Sequence, residues 1–129
     1  MPTWTLKTKF TFDSAHFIVG YDGKCGRMHG HTYTVEMVAK SNKLNPSKWL
    51  KTPDMVCDFN ELKWPGKDSL KGGLDHGVLN DLMEVNTTAE RIAEFIHQET
   101  MKRIPEGISL RIILWETPTS CVEYTDENE

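Results

Sequence analysis

Apolar and polar side chains alternate from Trp4 to His16. Trp4, Leu6, Phe10, Phe12, Ser14 and His16 share one parity, and Lys7, Lys9, Thr11 and Asp13 fall on the other. A period of two predicts a strand with one buried face. The loop "IVGYDGKCGRM", with three glycines, leads into a second run of the same kind. There His29, His31, Tyr33, Val35, Met37 and Ala39 share a face, opposite Thr32, Thr34, Glu36 and Lys40. The two runs are expected to pair as antiparallel strands. The middle of the chain shifts to a helical pattern. Asp58 and Glu61 form a capping box opening "FNELKW", which Pro65-Gly66 interrupts. Thr87 and Glu90 read as a second capping box, followed by an apolar stripe of Ile92, Ala93, Ile96, Thr100 and Ile104. Alternation returns in "ISLRIILWE", "TPTS" turns the chain, and "CVEYT" can pair back. The order ββααββ predicts an α+β fold, a four-stranded antiparallel sheet with two helices on one face.

Composition narrows the class. A chain of 129 residues is expected to form one domain, 1–129. It is 38% hydrophobic and 26% charged, ordinary values for a globular protein. The net charge of -4 argues against generic electrostatic binding of nucleic acid, which needs a basic face. No apolar run approaches the roughly 18 residues of a membrane helix, and "MPTWTLKTKF" lacks the apolar centre of a signal peptide. Cys25, Cys57 and Cys121 are an odd set at irregular spacing, so a reducing cytoplasm without a disulfide framework is expected.

The chemistry concentrates at one end of the predicted hairpin. His16 closes the apolar face of the first strand, and His29 and His31 open that of the second. Residues i and i+2 of a strand point the same way, so three imidazoles converge. Three neutral imidazoles can hold a zinc ion while its fourth position stays open; the alternative is a set of packed core histidines. Cys25 has two readings. It is a fourth ligand closing a structural site, the mark of a non-enzymatic zinc-stabilised binding module, or it is a reactive thiol stabilised by the nearby dication. Asp75-His76 reads as an acid-histidine pair or as a surface turn. Glu116 keeps the parity of Ile108 to Leu114, so its carboxylate faces the core at a strand end and requires donors, which a ligand with adjacent N–H groups would supply.

Together these motifs resemble the 6-pyruvoyl-tetrahydropterin synthase / 6-carboxy-tetrahydropterin synthase family. They are "FDSAH", "CGRMHGH", "DFNELK", "LDHGVLND", "TAE" from Thr88 and "ET" from Glu116, and they span nearly the whole chain. The resemblance implies the tunnelling (T-) fold and a homohexamer of two stacked trimers with active sites between subunits. It implies His16, His29 and His31 as Zn2+ ligands and Cys25, Asp75 and His76 as catalytic residues. Glu116 is implied as the pterin anchor, helped by Thr88 and Glu90.

The implied substrate is 7,8-dihydroneopterin triphosphate. Three residues separate Cys25 from His29, as in the carboxy-forming branch, and no glutamate occurs between Asp13 and Glu36, unlike the aldolase-like branch. The implied reaction is therefore that of a lyase forming 6-carboxy-5,6,7,8-tetrahydropterin with release of acetaldehyde and triphosphate, on the route to queuosine. The alternative is the pyruvoyl product. Two positions depart from the family pattern: Phe17, where a basic residue is usual, and Thr87, where proline is usual. Lys24 and Arg27 are the substitutes available for the triphosphate.

Overall fold

The structure is a computed structural model that describes residues 2–126; Met1 and residues 127–129, the ends of the expected 1–129 unit, lie outside the described residues. Two long strands, β1 (Trp4–His16) and β2 (His29–Ser41), pair antiparallel from Trp4↔Ser41 to His16↔His29. β4 (Ser109–Thr117) pairs with β2, and β5 (Ser120–Tyr124) pairs back onto β4. The expected antiparallel sheet carries a fifth strand. β3 (Gly77–Val78) runs parallel to β1 at Ser14 and Ala15, giving the order β3-β1-β2-β4-β5. Two residues are too short to leave a period in the sequence.

One long helix supports the sheet. α3 (Ala89–Met101) buries Ile92, Ala93 and Ile96 against the core, as the apolar stripe predicts, and it also buries His97. The sheet contributes Tyr33, Val35, Met37, Leu110, Ile112 and Leu114 to the same core. The other helices are single turns, α1 (Phe59–Leu62) and α2 (Leu79–Leu82). The fold remains α+β, with one long and two short α-helices among the described residues where two were expected. No helix among the described residues is long and apolar enough to cross a membrane.

The capping box of α1 forms as read: Asp58 accepts from the first turn, and Glu61 returns a bond to the Asp58 N–H at 2.8 Å. That of α3 does not. The N-cap is Thr88, whose Oγ1 accepts from Arg91 N at 3.2 Å. Thr87, one residue earlier, is fully buried, and its carbonyl is taken by His16. A side chain with a tertiary partner there leaves the cap to its neighbour. Thr88→Ala should cost about 1 kcal/mol of unfolding free energy in urea titration. Glu90→Ala should cost only a few tenths, because Glu90 acts through the helix dipole alone. A larger loss from Glu90→Ala than from Thr88→Ala would restore the Thr87–Glu90 box.

Candidate active site

The strand register brings the three histidines together. His16 lies directly across from His29, and His31 across from Ser14, so all three side chains emerge on one face at the sheet's end. One ligand nitrogen from each lies within 4.8 Å of the other two. Backbone carbonyls orient two of the rings. His16 Nδ1 is 2.9 Å from the Thr87 carbonyl, and His29 Nδ1 is 2.6 Å from that of Arg27. A ring that donates from Nδ1 to a carbonyl presents Nε2 as a lone pair.

These residues fit a dication. The Nε2 atoms of His16 and His31 are buried and without a hydrogen-bond partner. Unpaired buried polar atoms are rare in folded proteins and demand an explanation. Burial also holds both imidazoles below the usual histidine range, despite the opposing pull of Glu116. A neutral imidazole is the form that binds a metal. Tyr33, which the sequence places on this face without a role, lies beneath the cluster. Its ring is 5.5 Å from His31, stacked on Phe12, and its buried hydroxyl is unpaired.

Cys25 sits beside the histidines rather than among them. It lies in a short 3-10 turn, Lys24–Gly26, and its thiol is not part of the mutually close ligand set. It lines a hollow of about 440 Å³ with Lys24, Arg27, Met28, His29 and His31. Lys24 and Arg27, the two cations of this loop, therefore share a wall with the thiol. Glu116 faces the cluster, its Oε2 being 3.8 Å from His16 Nε2, too long for a hydrogen bond. It stands at a register irregularity of β4 between Trp115 and Thr117, and it lines a hollow of about 580 Å³ with His31, Trp115 and Lys9.

Asp75 and His76 form a built pair in a different hollow. Asp75 Oδ2 is 2.8 Å from His76 Nδ1, and Asp75 Oδ1 accepts from Asp13 N at 2.8 Å. Those bonds, the Asp13 amide foremost, hold the Asp75 carboxyl below its ordinary range; the hydrogen bond to Asp75 holds the His76 imidazole above its own. The His76 side chain is 70% exposed, and its backbone is in the left-handed region at φ 57. It lines a hollow with Asp13, Ser14, His31 and Gly77, whereas Cys25 lines another, and His31 stands in the walls of both. Thr88 caps α3 and Glu90 is exposed in its first turn; neither lines the hollows that contain the histidines.

Known proteins are similar to this chain in sequence and in fold. The family model for 6-pyruvoyl tetrahydropterin synthase matches residues 5–127. The 6-carboxy-5,6,7,8-tetrahydropterin synthase of Haemophilus influenzae is 36% identical, covering 94% of this chain and 98% of that protein. The synthase of the same name from Synechocystis is 32% identical over 94% of this chain and 92% of its own. A dihydroneopterin monophosphate aldolase of Pyrococcus furiosus is 34% identical over 82% and 83%. Among solved structures, the 6-pyruvoyl tetrahydropterin synthase of Caenorhabditis elegans superposes with a TM-score of 0.70 at 20% identity, covering 98% of each chain. The chain belongs to the 6-pyruvoyl tetrahydropterin synthase family, enzymes of pterin biosynthesis.

Proposed function

We propose that this protein is a zinc-dependent 6-carboxy-5,6,7,8-tetrahydropterin synthase acting on 7,8-dihydroneopterin triphosphate, with acetaldehyde and triphosphate as the other products. The observation that carries the reading is the pair of buried, unpartnered Nε2 atoms of His16 and His31 beside the Cys25 hollow. Cys25 lying outside the ligand set favours a thiol catalyst over a closed structural site. The three-residue spacing from Cys25 to His29 and the names of the relatives favour the carboxy-forming branch. The lack of a glutamate between Asp13 and Glu36 disfavours the aldolase reading.

His16, His29 and His31 would hold the zinc ion, whose Lewis acidity toward the hydroxyls of the substrate side chain would make the adjoining C–H more acidic. Cys25, as thiolate, takes that proton and returns it. Lys24 and Arg27 line the same hollow and offer two positive charges to the triphosphate, which a chain of net charge -4 must gather locally. Glu116 accepts hydrogen bonds from the pterin N–H groups. Asp75 orients the His76 ring and keeps it protonated to a higher pH than an ordinary histidine, so that His76 relays protons in the step that Cys25 begins.

His76 and Cys25 line separate hollows, and this supports completion of each site by a second copy. The sheet has edges for it. β3 covers β1 only at Ser14 and Ala15, and β5 ends the sheet on the other side. Long uncovered edges invite pairing with further strands. Joining them between copies is consistent with a ring assembly, a trimer stacked in twos, in which Thr88 and Glu90 meet the neighbour's pterin.

Incubation with 7,8-dihydroneopterin triphosphate and mass analysis of both products tests the reaction. Acetaldehyde with the 6-carboxy pterin is expected; a pyruvoyl pterin without acetaldehyde would move the chain to the other branch. Cys25→Ala should keep about one zinc per chain and lose turnover by orders of magnitude, whereas His31→Ala should lose the metal as well. Zinc loss from Cys25→Ala would instead establish the closed site. Co-assembled Cys25→Ala and His76→Ala chains, each inactive alone, should recover activity at about a quarter of sites in a random equal mixture. No recovery in oligomers verified as mixed would confine the site to one subunit.

A further inference from the structure

Two asparagines continue the sheet where its strands stop. β1 ends at His16, and its parallel neighbour β3 ends at Val78. Beyond that point Asn80 Oδ1 accepts from Phe17 N at 3.0 Å, and Asn80 Nδ2 donates to Phe17 O at 2.8 Å. Two residues on, Asn86 repeats the pattern: Oδ1 accepts from Val19 N, and Nδ2 donates to Val19 O, both at 2.9 Å. A primary amide has one face of a peptide group, an acceptor and a donor side by side. The two amides therefore replace the missing neighbour strand at alternate residues.

The intervening residue faces the other way. Ile18 N donates to Cys25 O at 2.9 Å. One edge of residues 17–19 is thus held by Asn80 and Asn86, and the opposite edge holds the turn that carries Cys25. Thr87, between the asparagine clamp and α3, ties the clamp to the metal-ligand cluster. Its Oγ1 donates to Phe17 O at 3.0 Å, its N–H donates to Asn86 Oδ1 at 3.1 Å, and its carbonyl takes His16 Nδ1 at 2.9 Å.

We propose that Asn80 and Asn86 are positioning residues that fix the thiol of Cys25 relative to the three-histidine centre through the backbone of residues 17–19. They touch neither the metal ligands nor the hollow lined by Cys25. Their effect is to remove the freedom of a loop that would otherwise leave the thiol at variable distance from the metal. The consequence for turnover rests on the zinc-and-thiol reading above; the geometry of the clamp does not.

Asparagine to aspartate keeps the shape and turns the amide donor into an oxygen aimed at a carbonyl oxygen. Asn80→Asp and Asn86→Asp, made in a Cys121→Ser background, are compared with that parent. Cys121 is exposed and would compete for the reagent, whereas Cys57 is buried with its thiol pushed up to about 12. The measurements are zinc content, the rate of Cys25 alkylation by iodoacetamide with and without zinc, and kcat and KM.

Zinc content is expected to stay at one per chain. The ratio of alkylation rates, zinc-loaded over zinc-free, should exceed one in the parent and collapse toward one in the variants. A general loss of stability would not move that ratio while the metal stays bound. kcat should fall on the order of 10- to 100-fold with little change in KM. A ratio unchanged by either substitution overturns the proposal, as does a ratio of one in the parent. Should Asn80→Asp fail to fold, Asn86, which is exposed, carries the test alone. A parent inert toward the pterin triphosphate whose ratio still collapses in the variants would sink the assigned reaction and leave the clamp standing.

Discussion

Three imidazoles held close together at the end of a sheet are the constraint around which the rest of this molecule is arranged. An exposed histidine titrates near neutral pH, and only its neutral form binds a metal. Here burial disfavours the proton at His16 and His31, and backbone carbonyls orient His16 and His29. The cost is two buried nitrogens with no partner, each on the order of 1–3 kcal/mol. Only a rigid framework keeps such atoms from turning out to solvent or refilling with water. β1 and β2 supply it, with thirteen paired positions running without a break into the site.

The same register explains what was legible in the sequence. A period of two fixes which side chains share a face, and Phe12, Tyr33 and Met37 are buried on the parity that carries the histidines. Pairing two such strands brings His16 opposite His29 with no further information. Glu116 follows from parity as well, although the β4 irregularity beside it was not foreseen. What failed to show was short or made by side chains. β3 is two residues long, and Asn80 and Asn86 mimic a strand with amides, a role that carries no pattern in sequence. The misplaced cap of α3 has the same origin. Thr87 and Thr88 are equivalent to a local rule, and the tertiary bonds of Thr87, from its Oγ1 to Phe17 O and from its carbonyl to His16, tell them apart.

Charge tells a parallel story. The acidic total argues against generic electrostatic binding of nucleic acid but leaves open where a polyanionic substrate would be held. The fold answers by gathering rather than by composition. Lys24 and Arg27 flank Cys25 within one turn, so a local rule of chain geometry brings both cations to the thiol's hollow. Lys9 stands in the hollow of Glu116 but is engaged by Glu36 at 3.4 Å. The two hollows therefore differ in kind. The one beside Cys25 is cationic and suits phosphate, and the one beside Glu116 offers an acceptor with an aromatic wall from Trp115.

That division bears on why the acid-histidine pair sits apart. A protonated His76 beside Lys24 and Arg27 would add a third positive charge to the cluster and oppose the imidazoles' occupation by a dication. Placed instead at the β1–β3 edge, it is stabilised by Asp75, whose carboxylate is itself anchored to the Asp13 amide. The anchor matters because β3 is only two residues long and could not hold the pair by ladder bonds alone. His76 N, bonded to Asp13 O at 2.6 Å, closes a second link across the same edge. The acid-histidine pair is thus built on the outer rim of one sheet, and the three imidazoles and the thiol at its end. A sheet with uncovered edges can bring such a rim to another copy's end without placing its charge beside the imidazoles of its own chain.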